Sequence, residues 1–214
     1  MEDNPLAPEA VWLVEQFLDF DMEISAQVAR SPHGQAVAYP VVQTVQVDGM
    51  CAEVVAPAPD LGETLAVEAS ELALRIAGEL DCVGMLAVEM FVVDGRIVVN
   101  ELAMRPHNSG HFTIDASITS QFEQHLRAVL DLPLGSTEMT ADYAVMVNLL
   151  GVESNTNFLE NFEPTMHRFP EAKIHTYGKA PRPGRKMGHI TVLGDDLETA
   201  KSRALLAAAV ISGS

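Results

Sequence analysis

A chain of 214 residues, 48% hydrophobic and 20% charged, can build one large domain or two small ones around a real core. Its formal net charge of −17 argues against non-specific binding to nucleic acid and requires a local basic patch for any phosphate ligand. Two cysteines, Cys51 and Cys82, make no disulfide framework, and no signal peptide or membrane-length apolar run is evident, so the sequence reads as cytoplasmic, with no membrane partner.

Residues 1–10 are a polar, proline-containing lead-in. Residues 11–18 (VWLVEQFL) predict a strand interrupted by Glu15, and residues 22–30 (MEISAQVAR) alternate as a second, with Glu23 near its start. On pattern alone both acids are solvated strand-edge charges. Residues 36–47 and 50–56 predict further strands about a turn at Asp48-Gly49, closed by Pro57 and Pro59. Residues 61–80 predict a packing helix with the stripe Leu61, Leu65, Leu72, Ile76 and Leu80.

Residues 83–102 predict a hairpin turning at Asp94-Gly95. Glu89 and Glu101 stand among Val, Met, Phe, Ile and Leu, where an unpaired buried carboxylate is very costly. A two-residue turn would set Glu89 opposite Asn100 and send Glu101 to the other side. A three-residue loop, Val93-Asp94-Gly95, shifts the pairing by one and puts both acids on one face as diagonal neighbours. Two readings follow: ion pairs to Arg96 and Arg105, or an oxygen-donor site for Mg²⁺ with Asn100 beside it. The next segment, Met104-Arg105-Pro106-His107-Asn108-Ser109-Gly110-His111, gathers a cation, two imidazoles, an amide and a hydroxyl in a loop.

Residues 117–131 predict a helix with Leu126, Val129 and Leu130 as its apolar stripe, stopped by Pro133. Residues 143–150 (YAVMVNLL) predict a buried strand. Residues 151–164 predict loop with a helical turn, and 165–176 a short strand and another turn. The one dense basic run, Tyr177 to His189, holds Lys179, Arg182, Arg185 and Lys186, and is either a solvated turn or a phosphate clamp. Residues 189–193 predict a strand, and 195–210 a helix capped by Asp195.

The stretch NELAMRPHNSGH, followed by SQFEQHLRA at 120–128, resembles the N5-carboxyaminoimidazole ribonucleotide synthetases. These are ATP-grasp ligases of purine biosynthesis, also called the ATPase subunit of phosphoribosylaminoimidazole carboxylase. The family pattern has Pro at the position of Met104 and His at that of Gln46. The resemblance runs from about residue 12 to about 210. It implies an α/β (α+β) fold: part of an ATP-grasp fold, an antiparallel sheet flanked by helices, with a small β-rich C-terminal domain. The implied divisions are 1–58 for the remaining middle subdomain, 59–140 for the lobe with metal and catalytic loop, and 141–214 for the end domain.

The resemblance also implies ATP and Mg²⁺ as cofactors, aminoimidazole ribonucleotide and bicarbonate as substrates, and a homodimer. Glu15, Gln16, Phe17 and Leu18 would hold adenine, Glu23 the ribose, and Gln46 would lie near the nucleotide. Glu89 and Glu101 would hold metal, with Asn100 at the phosphates. Arg105, His107 and Asn108 would be catalytic. Lys179, Arg185 and Lys186, with Arg182 as a further candidate, would take the substrate phosphate. The family's Gly-rich phosphate loop and N-terminal domain have no counterpart ahead of Glu15. The chain alone is therefore expected to be without turnover, and substrate-dependent ATPase from the purified chain would refute this.

Overall fold

The computed structural model describes residues 13–151, 158–180 and 182–213. Nine described strands form one sheet: β1 (Met22–Arg30), β2 (Ala36–Ala38), β3 (Val42–Val47), β4 (Met50–Ala56), β5 (Gly84–Val93), β6 (Arg96–Ala103), β7 (Tyr143–Leu150), β8 (Lys173–Thr176) and β9 (Lys186–Gly194). The order is β6-β5-β1-β3-β4-β7-β9-β8, with β2 paired to β1. Every pairing is antiparallel. The helices are α1 (Glu63–Glu79), α2 (Thr113–Ala116), α3 (Gln121–Val129), α4 (Phe162–Arg168) and α5 (Leu197–Ser212).

The period-two alternation of the strands gives the sheet two unlike faces. On one, Ile24, Ala26 and Val28 of β1 and Leu86, Val88 and Met90 of β5 pack under α1. The same face continues through Val55 of β4 and Val145, Val147 and Ile190 of β7 and β9, packed with α5. The other face carries Glu23, Ser25 and Gln27 of β1, Glu89 of β5, Asn148 of β7 and His189 of β9. Ser25, Gln27, Asn148 and His189 are buried there, under the segment that follows β6. Burying about 25 cal/mol per Å² of apolar surface on the first face holds the scaffold and leaves the second free to carry polar groups.

Several expectations are corrected. Residues 13–20 form no strand; Leu13, Val14 and Phe17 are exposed, Phe17 at 90%. Residues 1–12, including the start of that expected strand, lie outside the described residues. The strand expected over 36–47 is split into β2 and β3 around Pro40, whose ring cannot donate to a ladder. Of the stripe expected for the first helix, Leu61 is buried and Leu65, Leu72 and Ile76 pack against the core of β1 and β5, with Ala69, Ala73 and Ala77 of α1 buried most deeply; Leu80 is exposed. Small side chains at i, i+4 let the helix approach the sheet closely. In α3 the buried residues are Gln121, Gln124 and Ala128, while Leu126 and Leu130 are 58% and 65% exposed. The cap of α5 is Asp196, whose carboxylate accepts from the Thr199 amide at 2.9 Å, rather than Asp195.

Candidate active site

The hairpin that presents the two acids turns as its Asp-Gly dipeptide dictates. Asp94 and Gly95 have φ of 50° and 70°, the pair of positive values a two-residue type I′ turn needs, and Val93 pairs with Arg96. The three-residue loop expected from sequence is absent. The shift comes instead from a β-bulge: Met90 pairs with Val99 but Glu89 with Glu101, so Asn100 is the extra residue. Glu89 and Glu101 thus stand directly opposite each other on the polar face, not diagonally. Because β6 is the sheet edge, Glu101 is exposed, while Glu89 is half-buried on β5.

A cleft of about 340 Å³ opens over this hairpin, lined among others by Glu23, Gln46, Glu89, Phe91, Asn100 and Glu101. Burial raises the Glu89 carboxyl above the usual range. The charges of Glu101 and Glu23 add to this, and Lys186 and Arg105 oppose it. Burial likewise raises Glu23, and its hydrogen bond with Gln46 partly offsets the rise. Three carboxylates therefore converge with too little cationic charge to satisfy them. Glu89, Glu101 and His107 each place one ligand atom within 4.8 Å of the others'. No ion pair forms from Arg96 or Arg105 to Glu89 or Glu101 among the described residues; Arg105 is exposed and donates to the Pro106 carbonyl at 3.1 Å.

The loop after β6 is locked from below. Gln121, fully buried at the start of α3, accepts from the His107 amide at 2.9 Å and donates to the His107 carbonyl at 2.8 Å. Its Nε2 also lies 2.8 Å from His111 Nδ1. His107 Nδ1 meets Ser109 Oγ at 2.8 Å, Ser109 Oγ meets Ser25 Oγ at 2.9 Å, and Gln27 Nε2 donates to both hydroxyls at 2.8 Å. Asn108 and Asn148 exchange reciprocal amide hydrogen bonds at 2.9 and 2.8 Å, and Lys186 Nζ donates to Asn108 Oδ1 at 3.2 Å. The catalytic-loop candidates His107 and Asn108 are thereby fixed to β1, β7, β9 and α3 at once.

Burial, then the charges of Arg105 and Lys186, lowers His107 to about 4; burial first, then neighbouring imidazoles and cations, lowers His111 to about 4. Burial, then the His111 and His175 imidazoles, brings His189 to about 3. A neutral His107 makes its 3.6 Å approach to Glu89 Oε1 a dipolar contact, not an ion pair. All three shifts lie below an unfolded value near 6.5, so each contributes stability above that pH and loses it as pH falls toward 4 or 3. In an NMR titration of the seven histidines, these three should keep neutral-imidazole shifts at pH 5.5. Titration of any of them near 6.5 would contradict the buried clamp.

The remaining expected site residues are dispersed. Glu15, Gln16, Phe17 and Leu18 lie in the exposed lead into β1 and do not line the cleft. That lead is anchored beside it by Phe20, stacked on Phe91 at 4.5 Å. Of the basic run, Lys186 reaches the loop. Lys179 Nζ sits 5.1 Å over the Tyr177 ring, Arg185 is half-buried and its Nη1 donates to the Ala180 carbonyl, and Arg182 is exposed. Ser25, Gln27 and Asn148 were not expected, and Gln121 entered only within the segment SQFEQHLRA. The signal of the three strand residues is the one that exposed Glu89: polar residues at inward positions of apolar strands.

The family profile for the ATP-grasp domain matches residues 3–122. The chain belongs to the ATP-grasp family. A second profile, the phosphoribosylaminoimidazole carboxylase C-terminal domain, matches residues 144–203. Curated N5-carboxyaminoimidazole ribonucleotide synthases are similar to this chain over nearly all of its residues. It is 55% identical to the N5-carboxyaminoimidazole ribonucleotide synthase of Mycobacterium bovis over 206 residues, covering 95% of this chain and 48% of that protein. The synthetase structure from Thermus thermophilus superposes with a TM-score of 0.82 at 41% identity, over 92% of this chain and 52% of that one. The synthase of Aspergillus clavatus, solved with ADP and 5-aminoimidazole ribonucleotide, superposes with a TM-score of 0.85 at 37% identity, over 92% and 53%. The chain spans about half the length of the curated relatives it matches. The expected fold, an antiparallel sheet flanked by helices in an ATP-grasp arrangement, is the one observed.

Proposed function

We propose that this chain carries the metal-binding and carboxyl-transfer residues of a ligase that joins bicarbonate to the amino group of 5-aminoimidazole ribonucleotide at the expense of ATP. The observation that carries the reading is the bulge at Asn100, which sets Glu89 opposite Glu101 beside a rigidly clamped His107-Asn108 loop. Two carboxylates and an amide form the oxygen donor set that Mg²⁺ prefers, and the raised Glu89 marks negative charge without a partner. The residues therefore fit that ion, with Glu89 and Glu101 as its holders and Asn100 beside the phosphates. Bound there, Mg²⁺ would neutralise charge on the transferring phosphoryl group.

The chain's own residues supply the rest. Glu23 accepts from ribose hydroxyls at the far end of the cleft, with Gln46 orienting it. Glu15 to Leu18, in the lead that Phe20 anchors beside the cleft, would meet the adenine through backbone donors and acceptors. Arg105, exposed at the loop entrance, is free to meet bicarbonate or the developing charge. Neutral His107 and Asn108 position the carboxyl acceptor, and Lys186, with Lys179 and Arg185 further out, draws the ribonucleotide phosphate into an otherwise acidic molecule. The exposed Leu126 and Leu130 of α3 suit burial against a second copy, which supports a homodimer. No described helix is long and apolar enough to cross a membrane.

The nucleoside assignment is tested by Glu23→Ala. Calorimetry should show Mg·ATP weakened at least tenfold, while an adenine analogue lacking ribose is weakened little. Equal losses for both ligands would remove the ribose contact.

A further inference from the structure

On the same polar face, beyond the loop, lies a second cluster that the proposed reaction does not use. His175 of β8 and His189 of β9 are register partners, and their rings stack at 4.6 Å with 16° between planes. His175 Nε2 meets Asp115 Oδ2 of α2 at 2.8 Å. Asp115, His175 and His189 each offer one ligand atom, and these atoms lie within 4.8 Å of one another. His189 is 1% exposed; its Nδ1 is 2.7 Å from the Tyr177 hydroxyl, while its Nε2 is buried with no hydrogen-bond partner.

A buried ring nitrogen without a partner forfeits its hydration and gains nothing in return. That orphan, beside a carboxylate and a second imidazole, calls for an occupant. We propose that Asp115, His175 and His189 form a site for a borderline-soft divalent transition ion of the Zn²⁺ class, separate from the acid pair on the hairpin. Two imidazoles and one carboxylate make the nitrogen-rich set that such ions take, whereas Mg²⁺ keeps to oxygen. Zinc bonds of about 2.0–2.2 Å span donors roughly 4 Å apart, so small side-chain rotations close the set. The proton that His175 Nε2 shares with Asp115 moves to Nδ1 of the same ring, and His189 keeps Nδ1–H on the Tyr177 oxygen. Neither step needs a net proton. Tyr177 is then an outer partner that fixes the His189 tautomer. The ion would tie α2 to β8 and β9, which otherwise meet there through the His175–Asp115 contact.

The test uses the full chain without a polyhistidine tag, with Zn²⁺ measured by competition against a chromophoric chelator and Co²⁺ by its visible spectrum. The chain should bind one equivalent of Zn²⁺ that survives Glu101→Gln, give a Co²⁺ spectrum of nitrogen and oxygen ligation, and melt at higher temperature when loaded. Asp115→Asn and His175→Gln should each abolish that equivalent. Tyr177→Phe should weaken it by about 10- to 100-fold. Asp115→Asn preserves volume, so its melt without metal reports whether the fold is intact. Absence of stoichiometric binding, or binding lost in Glu101→Gln but kept in Asp115→Asn and His175→Gln, would overturn the assignment.

Discussion

Glu101→Gln in the full-length protein is expected to lower kcat for Mg²⁺-dependent ATP hydrolysis by about 100- to 1,000-fold, the loss that follows removal of one preorganised electrostatic group. The fold should survive, because Glu101 is exposed on an edge strand and such positions usually change stability by no more than about 0.5 kcal/mol. The substitution also removes the largest charge holding Glu89 above its ordinary range, so Glu89 should titrate lower in the variant. Steady-state kinetics, a thermal melt and a carboxyl NMR titration read these three effects separately. Normal turnover with an unperturbed melt would remove the acid pair from the chemistry.

Lys186→Ala is expected to raise KM for the ribonucleotide by about ten- to a hundredfold and to leave KM for ATP nearly unchanged. A charge-assisted hydrogen bond of this kind contributes about 1.5–3 kcal/mol. Arg185→Ala should act in the same direction with a smaller effect. The reason lies in where the two side chains end: Lys186 on Asn108 inside the loop, Arg185 on the Ala180 carbonyl in the basic turn. Higher salt should weaken ribonucleotide binding, since an acidic molecule relies on a local cationic patch to attract a dianion. If Lys186→Ala impaired ATP and spared the ribonucleotide, the lysine would belong to the nucleotide phosphates instead.

What the sequence made legible were features with a local physical cause. The Asp94-Gly95 turn, the alternation of β1, the strand character of β4, β5 and β7, and the acids out of place in an apolar hairpin were all readable residue by residue. The bulge at Asn100 was not, because it depends on how β6 lies along β5 at the sheet edge, and no residue type demands it. The face shared by Glu89 and Glu101 was therefore reached by the wrong local geometry. The apolar stripe expected for α3 failed for a tertiary reason, whereas that of α1 held apart from Leu80. Ala69, Ala73 and Ala77 pack closest because they are small, and α3 buries Gln121 and Gln124 because their amides satisfy the backbone of His107 and of Gly135 respectively. Asn148 and the Ser25–Gln27 pair gain meaning only when β7 and β1 are seen under residues 107–109. Periodicity alone reports no such juxtaposition.

The most direct test of the central claim is phosphate release by the full-length protein, measured while one component at a time is withheld. With Mg·ATP, bicarbonate and 5-aminoimidazole ribonucleotide all present, release should be rapid and matched by a carboxylated ribonucleotide. Omitting the ribonucleotide should lower it to background, and replacing bicarbonate with formate should give no product. Phosphate release that persists without the ribonucleotide, or product formed from formate, would contradict the account.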